Sequence, residues 1–395
     1  MNDLSRRFPS WLILLGTLTA IGPMSVDMYL PSFPALEADL GTGAPLTLAS
    51  FFVGLAIGQL VYGPVSDRIG RRPPIYFGLM LYIVASFLCA HVTSIESLMV
   101  LRFVQALGGC AGMVICRAIV RDRCDPRAAA QAFSMLMLVM GLAPILAPMF
   151  GGWILGVAGW QAIFYVQMAF AFMCLVWVHV SLTESRNFAH AEPLHLGRVL
   201  RTYGSLFRDA HFMGYTLTTV VASTGMFAYI AGSPKLLMEQ YGIEPTHYGW
   251  VFGANAFGLI GAGQINARLL RRGGKLDDIL RRSLVLPLAA SIVLLVCAWL
   301  GFAPIWLVLP CLFVYMMSLG FINPNAAAGA LAHHGQRAGL ASALMGSLQF
   351  VLAAIVGAIM DGWLDGTARP LATMMALSGI GAWVVHRWLV GRQPA

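Results

Sequence analysis

In this 395-residue chain, chemistry is expected where ionisable side chains interrupt long apolar runs. Asp27 lies about one turn before the end of the first run, in SVDMYLPSFP (residues 25–34). Pro31 follows four residues later, and because proline has no N–H the carbonyl of residue 27 loses its helical donor. The side chain and the backbone of Asp27 can therefore both bind something other than the helix.

Arg102 is the second candidate, in the stretch LRFVQALGGCAG (101–112). An unpaired arginine inside a membrane-spanning helix costs several kcal/mol. Asp27 is expected at a similar depth on a helix that runs the other way, so we predict that the two residues pair. Two alternatives stay open: Arg102 reaches the membrane surface along its aliphatic stem, or the pair is structural and never exchanges a proton.

The composition indicates an integral membrane protein. The chain is 58% hydrophobic and 11% charged, whereas soluble domains are about 25% charged. Its net charge of +8 lies in short loops between apolar runs, so membrane topology explains it better than a nucleic-acid partner. Asp27 is the one carboxylate of seventeen acids that falls well inside an apolar run.

The apolar runs predict an all-α protein with twelve membrane crossings. They cover approximately residues 10–31, 44–66, 74–92, 97–120, 129–156, 160–182, 211–232, 247–270, 280–300, 304–327, 338–360 and 367–390. The longest polar gap divides the chain into two six-helix bundles (1–182 and 211–395) and a linker (183–210). Arginines gather in alternate loops, with only Lys235 and Arg369 on the opposite side. This asymmetry predicts that both termini and the linker lie in the cytoplasm.

An internal repeat supports two related halves. GPVSDRIGRR (63–72) and GQINARLLRR (263–272) each follow the second crossing of their half. They share the first glycine, the central arginine and the final arginine pair, whereas Asp67 is replaced by Ala267. Transporters are often built from such paired bundles, with the substrate site between them near the middle of the membrane.

GPVSDRIGRRPP resembles the signature loop between the second and third helices of the major facilitator superfamily. The matching residues are Gly63, Asp67, Arg68, Gly70, Arg71 and Arg72. The resemblance implies a twelve-helix fold in which Asp67 braces the two bundles by contacting the start of the eleventh helix near Gly339. Gly63 is expected to permit close helix contact. The alternative is that these arginines only set the topology.

Two further motifs resemble those of proton-coupled drug exporters in this superfamily. Arg102 and Gln105 match a fourth-helix motif in which Ala106 replaces the usual glycine. GLAPILAPMFGGW (141–153) resembles the fifth-helix motif of antiporters, although Ala143 and Ala147 stand where glycines are usual. Its matching residues are Pro144, Pro148, Gly151 and Gly152. The resemblance implies efflux, and the alternative is an ordinary kinked, tightly packed helix.

DMYLPSFP resembles the end of the first helix in bicyclomycin- and chloramphenicol-type exporters, a branch of the drug:proton antiporters. The resemblance implies exchange of drug-like molecules for protons, with Asp27 and Arg102 as coupling residues, no cofactor and a monomeric state. Ten side chains are candidates for the substrate cavity, with ordinary helix packing as the alternative for each: Met24, Tyr29, Phe51, Gln105, Tyr229, Asn255, Phe257, Asn323, Asn325 and Gln349.

Two other functions stay open at this stage. One is proton-coupled export of a physiological solute such as a sugar, an amino acid or a siderophore. The other is a membrane enzyme or receptor, although no nucleophile–base set or phosphate-binding loop is present in the sequence. The adjacent His333 and His334 have no third ligand at metal spacing, so no metal is assigned.

Overall fold

The computed structural model describes residues 10–185 and 196–391, and within them every regular element is a helix. Residues 186–195 of the predicted linker lie outside this range, as do both chain termini. The helices are α1 (Ser10–Asp27), α2 (Phe33–Leu40), α3 (Ala44–Ile69), α4 (Arg72–Cys89), α5 (Ile95–Arg123), α6 (Pro126–Ser181), α7 (Leu196–Arg208), α8 (Ala210–Pro234), α9 (Pro245–Arg271), α10 (Leu276–Ser283), α11 (Val285–Trp299), α12 (Ile305–Leu331), α13 (Ala338–Trp363) and α14 (Arg369–Val385).

The helices account for the twelve crossings predicted from the sequence. Eight segments in the described part of the chain are long and apolar enough to span a membrane. One of them lies in α6, which consists of two helices that meet at Gly159, whose φ of 76° suits glycine. Together with α8, α9 and α14, these segments make twelve. The all-helical, twelve-crossing fold is thereby confirmed.

The first crossing is broken next to Asp27. Helix α1 ends at that residue, a single 3-10 turn covers Leu30–Ser32, and α2 then continues to Leu40. Pro31 has no N–H to donate to the carbonyl of Asp27. The N–H of Tyr29 bonds to the carbonyl of Val26 at 3.3 Å instead of that of Ser25. The break therefore frees the carbonyl of Ser25 as well as that of Asp27.

The helices form two bundles that meet along two seams. Helices α1 and α3–α6 pack against one another, and α8, α9 and α11–α14 do the same. The bundles touch chiefly where α3 packs against α13 and where α6 packs against α9. We call the end of the molecule that carries α7 the linker side, and the end that carries Gly159 the far side.

Candidate functional site

Asp27 lies between the two bundles, without a polar partner in the part of the chain that the structure describes. Its side chain is 5% exposed, and within the described residues its carboxylate makes no hydrogen bond or ion pair. Tyr229 in α8 and Tyr248 in α9 lie near enough for an ionised Asp27 to act on their phenols. An intramembrane carboxylate without a partner marks a functional site by default.

The predicted ion pair between Asp27 and Arg102 is not formed in this structure. Arg102 is fully buried, and its Nη2 donates to the freed carbonyl of Ser25 at 2.9 Å. The hydroxyl of Ser25 is 2.5 Å from that of Tyr82, so this face of α1 points into the first bundle. Asp27 is two residues further on, about 200° around the helix. Its carboxylate therefore points towards the second bundle and away from Arg102.

The charge of Arg102 is stabilised by aromatic rings and an amide rather than by an acid. Its guanidinium carbon lies 4.2 Å from the ring centroid of Phe51 and 4.5 Å from that of Tyr29. Cation–π contacts of this kind gain strength when they are shielded from water. Its Nη1 donates to Oε1 of Gln105 at 2.6 Å. Tyr29, Phe51 and Gln105, which we expected to line the substrate cavity, here surround Arg102.

Gln105 continues the polar network across the first bundle. Its Nε2 donates to Oγ of Ser86 at 2.7 Å and to Oε1 of Gln167 at 3.0 Å. Gln167 in turn donates to the carbonyl of Met24 at 3.3 Å, which connects the network to α1. Sequence reasoning missed Gln167. A lone buried amide in the middle of the sixth crossing was the signal that could have identified it.

The second bundle presents its own polar side chains. Nδ2 of Asn255 donates to the hydroxyl of Tyr229 at 2.8 Å, and the hydroxyls of Tyr248 and Ser233 are 2.8 Å apart. Because the 3-10 turn after Asp27 packs against both α8 and α9, these two helices form the wall of the second bundle that faces Asp27. Tyr248 was missed because a tyrosine near a helix end is typical of the membrane interface.

Two of the remaining cavity candidates, Asn323 and Gln349, are linked through the hydroxyl of Ser223, which donates to Asn323 at 3.4 Å, and Asn325 lies apart from them. Asn323 accepts a hydrogen bond from Thr219 at 2.8 Å, and Gln349 donates to Ser223 at 2.9 Å. Nδ2 of Asn325 donates to Asn266 at 2.7 Å inside the second bundle.

Phe257 is not among the residues that face the first bundle. It is 69% exposed, and it lies two residues and about 200° around α9 from Asn255, which points inward. Its position is that of a side chain on the lipid face, and we therefore remove it from the cavity candidates.

The glycines of the antiporter-like motif lie where α6 fits between two other backbones. A methyl group on Gly151 would collide with the carbonyl oxygen of Met28, next to Asp27. A methyl group on Gly152 would lie 2.5 Å from the carbonyl oxygen of Pro245 at the start of α9. Pro144 and Pro148 lie inside the same helix. On the far side, the bundles are therefore closed around the break in α1.

The signature loop on the linker side is held by an ion network within the first bundle. Arg71 donates to Asp67 at 2.7 Å and to Asp122 at 2.8 Å. Although burial alone lowers the pKa of Arg71, these two carboxylates raise it above its usual value. Glu184 accepts from the backbone N–H groups of Arg71 and Arg72 at 2.9–3.1 Å, which caps α4. Asp122 and Glu184 were not singled out from the sequence.

The same loop faces an open space rather than α13. Asp67 is 57% exposed on its side chain, and a methyl group on Gly63 would meet no atom within 4 Å. Both residues line a cavity of about 240 Å³ whose other wall includes Gly339. The close helix contact expected at Gly63 is absent from this conformation, because the cavity separates α3 from the start of α13.

The other residues of the signature loop have local roles. Arg68 is exposed, Gly70 ends α3 with a φ of 95°, and Arg72 donates to the hydroxyl of Tyr76 at 2.8 Å. No group of histidine, cysteine or acidic side chains in the described residues could hold a metal ion.

Two helical bundles with ionisable groups at the seam between them are the architecture of a secondary transporter. The chain matches the family model of the Major Facilitator Superfamily over residues 15–358. It is 36% identical over 374 residues to the MFS-type transporter YdgK of Bacillus subtilis (strain 168), covering 93% of this chain and 92% of the relative. It is 30% identical over 396 residues to the bicyclomycin resistance protein homolog of Haemophilus influenzae, covering 97% and 96%.

Comparison with solved structures shows the same fold. A bacterial homologue of the human lysosomal transporter Spinster, in an inward-facing and occupied conformation, aligns with a TM-score of 0.72 at 13% identity, covering 98% of both chains. The chain belongs to the major facilitator superfamily, in the branch of the bicyclomycin resistance proteins. It is a multi-pass membrane protein from a family of transporters rather than enzymes. The resemblance identified from the sequence is confirmed.

Proposed function

We propose that this protein exports drug-like small molecules across the bacterial inner membrane in exchange for protons. The names of its relatives support export: they include a bicyclomycin resistance protein homolog and a chloramphenicol resistance protein of Pseudomonas aeruginosa. In this proposal the linker side is cytoplasmic, as the arginine-rich loops predict. The protein works as a monomer, needs no cofactor and draws its energy from the proton gradient.

The observation that carries the proposal is the unpartnered carboxylate of Asp27 at the seam. An ionised carboxylate that is buried without a partner is costly, so binding of a proton at Asp27 stabilises this closed far side. Release of the proton creates a negative charge beside Tyr229 and Tyr248 of the opposite bundle. The charge state of one residue thus changes the energy of the contact between the bundles, as proton-driven alternation requires.

Arg102 acts through the backbone of α1 in this proposal. Its guanidinium holds the carbonyl of Ser25 at 2.9 Å, two residues from Asp27, and fixes the break in the helix. Ionisation of Asp27 places a negative charge two residues from this contact, so the break can rearrange with the charge state. A substrate would enter between the bundles, residues 1–182 and 211–395, which rock about the seams.

The energy available from one proton is sufficient. Moving one unit charge across 100 mV is worth about 2.3 kcal/mol. Since about 1.4 kcal/mol corresponds to a factor of ten, one proton per cycle supports a drug gradient of roughly fifty-fold. A single acid at Asp27 therefore suffices for useful efflux.

The test is Asp27→Asn, which keeps the shape of the side chain but cannot exchange a proton. The purified protein is reconstituted in liposomes with a pH gradient, and chloramphenicol and bicyclomycin efflux is measured together with proton release. We expect the variant to lose gradient-driven efflux and drug-induced proton release, while the intact protein shows both.

Glu96→Gln is the matched control, because Glu96 is an exposed acid in the first turn of α5. It should transport as the intact protein does. Proton release that persists in Asp27→Asn would contradict the coupling role of Asp27. Movement of neither compound by the intact protein, with a sugar or an amino acid moved instead, would contradict the drug substrate.

A further inference from the structure

The short helix α7 has one broad apolar side, and the described part of the chain covers only one edge of it. Tyr203 and Leu206 are buried, with 9% and 1% exposure. Leu200 and Phe207, by contrast, are 68% and 49% exposed. These two residues are seven positions apart, so they line up along one side of the helix. They form an apolar stripe on the surface of the described structure.

Helix α7 is held to both bundles on the linker side, by Tyr203 on its buried edge and by the exposed Ser205. The hydroxyl of Tyr203 donates to the carbonyl of Leu60 in α3 at 3.4 Å. This carbonyl lacks its helical donor because Pro64, four residues later, has no N–H. On the other bundle, Arg337 donates to Ser205 at 3.5 Å, and α7 packs against α8 and α13.

The position of α7 puts its exposed stripe at the membrane surface. Asp209 is the single residue between α7 and α8, and its carboxylate caps α8 by accepting from the N–H of Phe212 at 3.0 Å. Phe207 therefore lies less than one helical turn from the start of a membrane-spanning helix. Lipid headgroups and the outermost part of the acyl chains are what a side chain meets at this depth.

Two arginines lie beside the stripe. Arg201 and Arg208 are two helical turns apart on one line, roughly 10 Å along the axis, with Gly204 between them. A methyl group on Gly204 would meet nothing within 4 Å. Arg201, Gly204, Ser205, Arg208 and Asp209 line a surface cavity of about 480 Å³.

The two guanidinium groups have no partner among the described residues, whereas the acid that lines the same cavity has two. Within the described residues, Arg201 and Arg208 make no hydrogen bond or ion pair. Asp209 is bonded to the N–H of Phe212 and lies 3.2 Å from Nε2 of His334. The cavity thus offers two free cations to an anion, and arginine suits phosphate because its planar group donates two parallel hydrogen bonds.

We propose that α7 binds anionic phospholipid, with the headgroup phosphate between Arg201 and Arg208 and with Leu200 and Phe207 in the acyl layer. Apolar insertion and charge attraction together are what hold an interfacial helix on a membrane. Because α7 contacts α3 and α13 at one seam, a bound lipid also holds the linker against the place where the bundles meet. This proposal goes beyond drug export and does not depend on it.

The test measures phosphatidylglycerol binding to the purified full chain by native mass spectrometry in detergent. Each arginine near an anionic lipid contributes about fivefold to the binding constant. We therefore expect the double variant Arg201→Gln/Arg208→Gln to bind phosphatidylglycerol about thirty-fold more weakly. The matched control is Arg281→Gln/Arg282→Gln, which removes two exposed arginines from α10 on the same side and should change binding less than twofold.

A second variant separates the apolar contribution from the charges. Leu200→Ser/Phe207→Ser keeps both arginines and should also weaken binding of the lipid, while a large excess of inorganic phosphate should not displace it from the intact protein. The proposal is overturned if the arginine variant binds phosphatidylglycerol as tightly as its control. Equal affinity for phosphatidylcholine, or full competition by inorganic phosphate, would also overturn it, the latter by identifying a site for soluble anions.

Discussion

The far side and the linker side of the interface between the bundles use the same residue type, glycine, for opposite purposes. On the far side, a methyl group on Gly152 would lie 2.5 Å from the carbonyl oxygen of Pro245, so the glycine allows two backbones to touch. On the linker side, Gly63 borders a cavity of about 240 Å³ and touches nothing across it. A glycine can therefore serve a contact that exists or keep room for one that forms in another conformation.

The largest effect on stability is expected from the ion network around Arg71, on the linker side of the first bundle. Replacing Arg71 with Gln leaves Asp122 without its cation. Because Arg71 is 3% exposed and Asp122 18% exposed on their side chains, we expect the free energy of unfolding to fall by about 2 to 3 kcal/mol, less than for a fully buried pair. Thermal unfolding in detergent measures this loss.

Arg68→Gln is the control for Arg71→Gln. Arg68 belongs to the same loop but is exposed and makes no ion pair within the described residues, so its replacement should change stability little. Equal unfolding midpoints for the two variants would mean that the ion network of Arg71 does not stabilise the linker side of the first bundle. The open cavity at Gly63 would then not be bounded by a rigid loop, and the contrast with the closed far side would no longer hold.

An intermediate effect is expected where the far side is closed. Gly152→Val places a branched side chain against the backbone of Pro245, and overpacking of this kind costs about 1 to 2 kcal/mol. Since the clash exists only while α6 and α9 touch, the variant should favour an open far side. Labelling of a cysteine introduced at Met28, in a background without the native cysteines, should become faster.

Gly156→Val is the control for the far-side seam. It lies one helical turn further along α6, where an added methyl group meets nothing within 4 Å, so labelling should stay at the rate of the parent protein. If Gly152→Val is also labelled at the rate of the parent protein, the contact at Gly152 does not keep the far side closed.

The sequence predicted the fold and the two main charges because each leaves a local signal. Twelve apolar runs define twelve crossings, and a charge inside such a run is rare enough to be conspicuous. The pairing of Asp27 with Arg102 could not be predicted in the same way. It depends on the direction of side chains beyond the break in α1, where the freed carbonyl of Ser25 takes the guanidinium.

Residues whose types are common in membrane helices escaped prediction for a different reason. Gln167 and Tyr248 carry no charge, and only their partners across the bundle reveal them. Asp122 in α5 and Glu184, three residues beyond the end of α6, were not singled out, because only the fold brings them to Arg71. Phe257 was assigned to the cavity from its residue type alone. The sequence does not show which side of α9 faces the cavity, and the structure shows that Asn255 lies on that side and Phe257 on the opposite one.

The smallest effect on stability is expected on the open, linker side of the comparison. Gly63→Ala fills empty space in this conformation, and because alanine is the better helix former the free energy of unfolding should stay the same or rise by up to about 1 kcal/mol. Efflux should nevertheless slow if α3 approaches α13 when the linker side closes. Gly263→Ala makes the same change at the equivalent position of the second bundle, where the nearest atom is 3.8 Å from the added methyl group. The transport rates of the two variants are compared at equal expression. A rate that is reduced only in Gly63→Ala indicates that the empty space is needed for closure of the linker side. Unchanged rates in both variants would mean that closure does not use this space.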